Sequence, residues 1–265
     1  MDSSIERGIL MRIMTANIWG DYFNNPVMPR KNAIVNLFKK FSPDIIGLQE
    51  INPSWFNADI PSAVKDEYTV VGNIVSNYVP LYYKTEKFSI LEFGWERYEK
   101  TEDKSKGITW ALLVEKETEK KIAVLNTHLW WKQGSEHDAL RVINAKQLFA
   151  KMKYLKEKYS CPVFAFGDFN AIDGSDALNY LEKNGVFTSY KFADSFSKIS
   201  SHHGDPENLG NGIFKGKETL NPKEKSLDHI VTFKDEIKIK KHDLAIYQEI
   251  LDATDHSPVY IDFDL

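Results

Sequence analysis

The chain has 265 residues, 42% of them hydrophobic, with 34 Lys+Arg against 38 Asp+Glu for a net charge of −4. That length and apolar content supply one large core, and sheet-rich enzymes of about 250 residues are often single domains, so one domain over 1–265 is expected. There is no global basic excess to hold nucleic acid by charge alone, which disfavours a tight DNA-binding protein while leaving room for a nuclease with a local groove and a metal.

In chain order, 9–16 reads as a first strand ending in Asn17-Ile18-Trp19-Gly20. Residues 20–29, with Gly, two Asn and two Pro, read as a loop. Over 30–41 the residues Ala33, Ile34, Leu37, Phe38 and Phe41 recur at helical spacing with lysines opposite, and Ser42-Pro43-Asp44 stops that helix. Ile45, Ile46 and Leu48 form a core strand ending in Gln49-Glu50. A short helix is expected over 54–64, interrupted by Pro61. Five β-rich runs follow, at 68–71, 78–83, 88–93, 108–115 and 121–127, with charged turns between them. Consecutive strands of this kind predict antiparallel meanders. The run at 121–127 leads into Asn126-Thr127-His128-Leu129-Trp130-Trp131.

The longest helical pattern is 137–158, carrying Leu140, Val142, Ile143, Leu148, Met152 and Leu155. The apolar run 162–166 is a buried strand that opens abruptly into Gly167-Asp168-Phe169-Asn170. Asp168 and Asn170 share a face if that segment stays extended. A short helix over 176–183 closes at Asn184-Gly185. Residues 196–226 form a long polar segment with His202 and His203, and loops of that length are usually functional or mobile. Strand character returns at 227–231 and 237–246. Thr254-Asp255-His256-Ser257-Pro258 leads into the last strand.

Residues 1–8 lack the apolar core of a signal peptide, no run approaches about 18 apolar residues, and the lone Cys161 cannot form an internal disulfide. Cytosol is the default compartment on these grounds, with no membrane span and no protein partner evident.

Asn17, Glu50, His128, Asp168, Asn170, Asp228, Asp255 and His256 all lie at the boundaries of core runs. Burying that many carboxylates together is costly unless a cation compensates. Oxygen donors from Glu50, Asp255 and Asn17 with no Cys–His cluster suit Mg²⁺ or Mn²⁺ better than zinc. Such an ion with carboxylates and two histidines suits hydrolysis of a phosphate ester. Asp255 and His256 are neighbours and point to opposite faces of a strand, so the pairing expected is His256 with Asp228. Trp130 and Trp131 offer stacking surfaces to a ring, or a core contact and an edge cover. Arg141 offers a guanidinium to a phosphate, or simply a solvated helix face.

Six motifs, Thr15-Ala16-Asn17-Ile18-Trp19-Gly20, Leu48-Gln49-Glu50, Asn126-Thr127-His128-Leu129, Gly167-Asp168-Phe169-Asn170, Ser226-Leu227-Asp228-His229-Ile230 and Asp255-His256-Ser257-Pro258-Val259, resemble in order those of the endonuclease/exonuclease/phosphatase (DNase I-like) superfamily. Pro80-Leu81-Tyr82-Tyr83-Lys84 and Gly107-Ile108-Thr109-Trp110-Ala111 resemble a bacterial single-domain branch of metal-dependent hydrolases. The resemblance implies an α/β four-layer αββα sandwich, two mostly antiparallel sheets flanked by helices. It implies a metal on Glu50, helped by Asn17 and Asp255, with Asp168 and Asn170 at the water and His256, Asp228 and His128 at the phosphate. Two positions depart from the pattern: Asn77 stands where several relatives carry a Glu, and Trp19 where some repair nucleases carry an acid. The expected activity is that of a phosphodiesterase or nuclease, acting on nucleic acid or a small phosphodiester. The alternatives are a phosphomonoesterase on inositol or lipid headgroup phosphates and a non-catalytic binding relative.

Overall fold

The computed structural model describes residues 9–22, 25–73, 77–218, 221–234 and 237–265. The expected polar N-terminal stretch 1–8 and parts of the expected loops over 20–29 and 196–226 lie outside them. β1 (Leu10–Asn17) leads through a short 3-10 turn into α1 (Lys31–Phe41), which buries Ala33, Ile34, Leu37 and Phe38 and stops at Ser42 in the left-handed region. β2 (Ile45–Gln49) is followed by two short helices, α2 (Pro53–Ala58) and α3 (Ile60–Val64). The break between them falls at Asp59, left-handed and capping Ser62, and Pro61 helps to start α3 where an interruption was expected.

The meander region comprises β3 (Tyr68–Val70), β4 (Leu81–Lys84), β5 (Phe88–Arg97), β6 (Gly107–Glu115) and β7 (Lys121–His128). Next come α4 (Ser135–Tyr159), β8 (Val163–Asp168), α5 (Asp176–Lys183), β9 (Val186–Thr188) and β10 (Ser195–Phe196). The long polar segment contains a hairpin, β11 (Glu207–Gly210) and β12 (Ile213–Lys215). The chain ends with β13 (Asp228–Phe233), β14 (Ile239–Leu244), α6 (Gln248–Ala253) and β15 (Val259–Asp264). The three-residue β9 and the six-residue α6 are too short for a periodic signal and were not expected.

Two sheets stack face to face. One runs β10-β14-β15-β1-β2-β4-β3, the other β5-β6-β7-β8-β13-β9. β1 with β2, β10 with β14 and β7 with β8 pair parallel, and the remaining pairs in both sheets are antiparallel. The alternation of β8 explains the layering. Phe164 and Phe166 point into the core between the sheets, while Val163 and Ala165 face α4 and α5. On the other sheet Met11 and Ile13 face the same inner core, and Met14 and Ala16 pack under α1 and α6. This is the expected αββα sandwich. No helix among the described residues is long and apolar enough to cross a membrane.

Strand direction gathers the polar ends. β1 and β2 run parallel and finish together, Asn17 opposite Gln49. β15 is antiparallel to β1, so the residues just before Val259 arrive at the same edge. In the second sheet His128 lies opposite Asp168, Asp228 opposite Asp168, and Gly107 opposite His128. Beneath this edge Asn126 ties the sheets together. Its amide donates to Leu48 O and Pro80 O, both at 2.8 Å, and its carbonyl accepts from Gln49 Nε2 at 2.6 Å. A fully partnered buried amide rigidifies the floor of the site.

Candidate active site

The edge opens into a cleft of about 330 Å³ lined by Trp19, Tyr22, Glu50, Asp103, Lys106, Trp131, Asp168, Asn170, His202, Asp205, Leu227, Asp255 and His256. Three of these, Trp19, Glu50 and Asn170, sit in the left-handed region at φ +56°, +61° and +48°. Side chains larger than glycine seldom adopt it, and such positions cluster at functional sites. Glu50 is aimed by two donors: Asn17 Nδ2 reaches Oε1 at 3.1 Å and Gly20 N reaches Oε2 at 2.8 Å. Asn17 also donates to Asp168 Oδ2 at 2.9 Å, and its carbonyl accepts from Trp19 N at 3.0 Å. It therefore bridges the two carboxylates and keeps one carbonyl lone pair free. The Trp19 loop is locked from behind by Arg30, a buried guanidinium that donates to the carbonyls of Ile18, Trp19, Gly20, Asn25, Pro26 and Ala253.

On the second sheet, Asp168 Oδ1 accepts from Asn170 N at 2.8 Å, and Asn170 Nδ2 donates to Leu129 O at 3.2 Å. The segment turns instead of staying extended, yet both side chains reach the cleft. Gly167 is required there, because a Cβ would meet Thr127 O at 1.8 Å where β7 and β8 draw together. His256 Nδ1 donates to Asp228 Oδ2 at 2.6 Å, and Ser201 Oγ donates to the same oxygen at 2.6 Å. His256 Nε2 lies 3.8 Å from Asp255 Oδ2. Strand alternation would send Asp255 and His256 to opposite faces. Both line the cleft because β15 begins only at Val259 and the residues before it are not in a strand. His229, buried, meets Ala171 O at 2.8 Å and packs edge-on against Phe169, so it is structural.

The other sequence candidates divide. His128 is buried behind Asp168, Nε2 to Oδ2 at 3.5 Å. Trp131 is 50% exposed and lines the cleft, whereas Trp130 is buried and donates from Nε1 to His137 Nδ1. Arg141 stands neither in the cleft lining nor on a solvated face. It is buried, donating to Trp130 O and Lys132 O and paired with Asp138, so it braces the loop that presents Trp131. Asn77 donates to Thr109 Oγ1 at 2.8 Å and does not line the cleft. Sequence reasoning missed Lys106, Asp103, Tyr22 and Asp205. Lys106 had one usable signal, its place directly before the strand that pairs with the His128 strand; the other three carry none.

Electrostatics follow from burial. Asp168 is pushed up to about 6, chiefly by desolvation and then by Asp228, and Asp255 to about 7 by desolvation, with Glu50 adding to the rise. His256 is held well above its ordinary value, because Asp228 and Asp255 outweigh its burial. His128 is held well below by burial and by Lys106. The surplus of buried carboxylates calls for a cation. Ligand-capable atoms of Glu50, His128 and Asp168 lie within 4.8 Å of one another, as do those of His202, Asp255 and His256. Carboxylate oxygens of this kind are the donor type that a hard divalent ion takes.

The raised carboxylates make a stability prediction. A carboxyl whose folded value lies above its unfolded one favours the folded state only while protonated, so this contribution is lost as pH rises from about 4 towards about 7. The histidines held low, among them His128, His203 and His229, act in the opposite sense, so a variant must isolate the carboxylate. In EDTA, Asp255→Asn is expected to stabilise the protein more at pH 7.5 than at pH 5, by more than about 1 kcal/mol at 1.36 kcal/mol per unit. Urea titrations of both proteins at both pH values measure this, and a pH-independent difference would contradict it.

Comparison with known proteins gives consistent results. The model of the "Endonuclease/Exonuclease/phosphatase family" matches residues 14–256. None of the curated proteins compared matches the chain. Among solved structures, an endonuclease/exonuclease/phosphatase from Bacteroides vulgatus is 22% identical with a TM-score of 0.76, covering 97% of this chain and 99% of that one. A Bacteroides thetaiotaomicron protein described as a mannosyl-6-phosphatase is 19% identical with a TM-score of 0.76, covering 96% and 100%. D. rerio TDP2, in complex with a single-strand DNA product, is 14% identical with a TM-score of 0.69, covering 97% and 99%. At these identities the structures establish the fold.

Proposed function

The chain belongs to the endonuclease/exonuclease/phosphatase family, and on that premise we propose that it is a metal-dependent hydrolase of a small phosphate ester. Glu50 and Asp255 would hold Mg²⁺ or Mn²⁺, and Asn17 would offer its remaining carbonyl lone pair. When bound, the ion polarises the phosphoryl oxygen and steadies the leaving oxygen. Asp168, at the cleft beside Glu50, takes a proton from the attacking water, and Asn170 N, donating to its Oδ1, fixes its orientation. His256, cationic through Asp228, stabilises negative charge on the phosphoryl group. His128, held neutral, buttresses Asp168.

The observation that favours a small substrate over a long polyanion is the cleft itself. Its lining carries Asp103 and Asp205 besides the proposed metal and catalytic carboxylates, and among the described residues Lys106 is the only lysine or arginine in it. A basic groove tracking several phosphates is absent from that lining, and such a groove is what nucleic-acid binding needs. The aromatic faces of Trp19, Tyr22 and Trp131 suit a sugar ring as well as a base. The neighbour described as a mannosyl-6-phosphatase is in keeping with a phosphorylated sugar or similar monoester. The same aromatic faces support the second reading, cleavage of a phosphodiester at a single-stranded end.

The test is hydrolysis of p-nitrophenyl phosphate, a panel of sugar phosphates, bis-p-nitrophenyl phosphate and single-stranded oligonucleotides, each with Mg²⁺, Mn²⁺ or EDTA. Metal-dependent release of phosphate from the monoesters is expected. Cleavage of the diesters alone would replace this reading with the second.

A further inference from the structure

Lys106 has no role in the scheme above, yet the fold holds it firmly. Gly107 pairs with His128 across β6 and β7, which puts Lys106 beside that histidine. Tyr98 N donates to Lys106 O, and Lys106 N donates to Asp103 O. Ser105 N and Oγ both donate to Asp103 Oδ1, closing the turn. At Gly107 a Cβ would lie 2.4 Å from Glu96 O, so β5 is pressed against this point and no side chain is tolerated.

The residue is 4% exposed, and it lines the cleft beside Glu50, Asp103 and Asp168. Nζ lies 2.8 Å from His128 Nε2 and 3.0 Å from Nδ1. No carboxylate among the described residues comes within ion-pairing distance of it. Burying an ammonium with no carboxylate in ion-pairing reach costs several kcal/mol, and one neutral imidazole, with a single acceptor nitrogen, satisfies at most one of its three N–H donors. A buried cation with spare donors, lining a cleft, is half of an anion site.

We propose that Lys106 is a catalytic residue that grips a non-bridging phosphoryl oxygen of the substrate. His128, within 3.0 Å of Nζ through both ring nitrogens, positions the ammonium and can accept only one of its N–H donors, which leaves the others for the phosphoryl group. Burial pulls the Lys106 ammonium down from its ordinary value and Glu50, Asp103 and Asp168 oppose that; acting as the ammonium, it holds the charge that grows on the phosphoryl oxygens as the water oxygen bonds to phosphorus and the leaving oxygen departs. The inference rests on the phosphoesterase reading but not on which ester is hydrolysed.

The experiment compares wild type with Lys106→Met and Lys106→Arg, on the phosphate ester that wild type hydrolyses fastest, with inorganic phosphate as inhibitor. For Lys106→Met, kcat/KM is expected to fall about 10²–10³-fold, as when one oxyanion donor is removed, and inhibition by phosphate to weaken at least about tenfold. Lys106→Arg restores part of both losses. Thermal melts check that each variant is folded. Phosphate inhibition unchanged in a folded Lys106→Met, even with lowered kcat, would overturn the contact and leave Lys106 as a support for His128. If wild type hydrolyses no phosphate ester, the functional reading fails separately. Protection of the EDTA-treated protein from thermal unfolding by phosphate then decides the site: protection lost in Lys106→Met supports it, and equal or absent protection overturns it.

Discussion

Replacing Glu50 with Gln is expected to abolish metal-dependent turnover and leave the fold intact. Glu50 is the carboxylate that the fold aims most deliberately, with Asn17 and Gly20 each holding one oxygen and the backbone in the left-handed region. Gln keeps the size and one carbonyl oxygen but removes the charge that compensates a divalent ion. Stabilisation by a bound metal is worth several kcal/mol in the transition state, so a loss of about 10³-fold or more is expected at 1.36 kcal/mol per tenfold. The rise in melting temperature produced by Mg²⁺ or Mn²⁺ should shrink in parallel, because a ligand that binds only the folded state stabilises it by mass action. Circular dichroism and a metal titration of activity test both parts. Full activity retained at ordinary metal concentrations would remove Glu50 from the metal site.

His256→Ala and Asp168→Asn should each lower kcat by about 10²–10⁴-fold, the usual worth of a positioned acid–base group. Here the two residues do different work. Asp168→Asn keeps the shape and the bond from Asn170 N but cannot take a proton. His256→Ala removes the buried cation and strands Asp228, whose Oδ2 would keep only Ser201. The pair acts as one unit, so Asp228→Asn combined with His256→Ala should cost little more than His256→Ala alone. Single-turnover rates at saturating substrate, with melting curves as a control, read this directly. A fall of only a few-fold for either single variant would take that residue out of the chemistry, and additive losses would show that Asp228 acts apart from His256.

Much of the framework was legible in the residues. α1 was readable because its apolar positions recur at 3.6-residue spacing, and β8 because 162–166 is an unbroken apolar run. The interruption near Pro61 was misplaced, since proline is tolerated in a first helical turn and Asp59 supplies the break. Arg141 illustrates a different limit. By type it offers a phosphate contact or a solvated face, and it is buried, because the loop after β7 folds back on α4 and needs a brace for its carbonyls. Residue type does not say on which side of a loop a side chain ends.

What the sequence determined by itself is the list of polar groups at strand ends: Asn17, Glu50, His128, Asp168, Asn170, Asp228, Asp255 and His256. An apolar run ending in a carboxylate or imidazole is a local pattern, and burial makes such an ending costly enough to carry meaning. Only the tertiary structure decided how those ends meet. The parallel pairing of β1 with β2 and of β7 with β8, and the antiparallel pairing of β15 and β13 against them, bring eight distant positions to one edge. The same pairing put Lys106 beside His128 and left Asp103, Asp205, Tyr22 and Trp131 as the walls of the cleft. Asp103, Asp205 and Tyr22 carry no local signal, because strand register and loop return are set by long-range hydrogen bonding and core packing. The character of the cleft, and with it the class of substrate, is therefore a property of the assembled sheets.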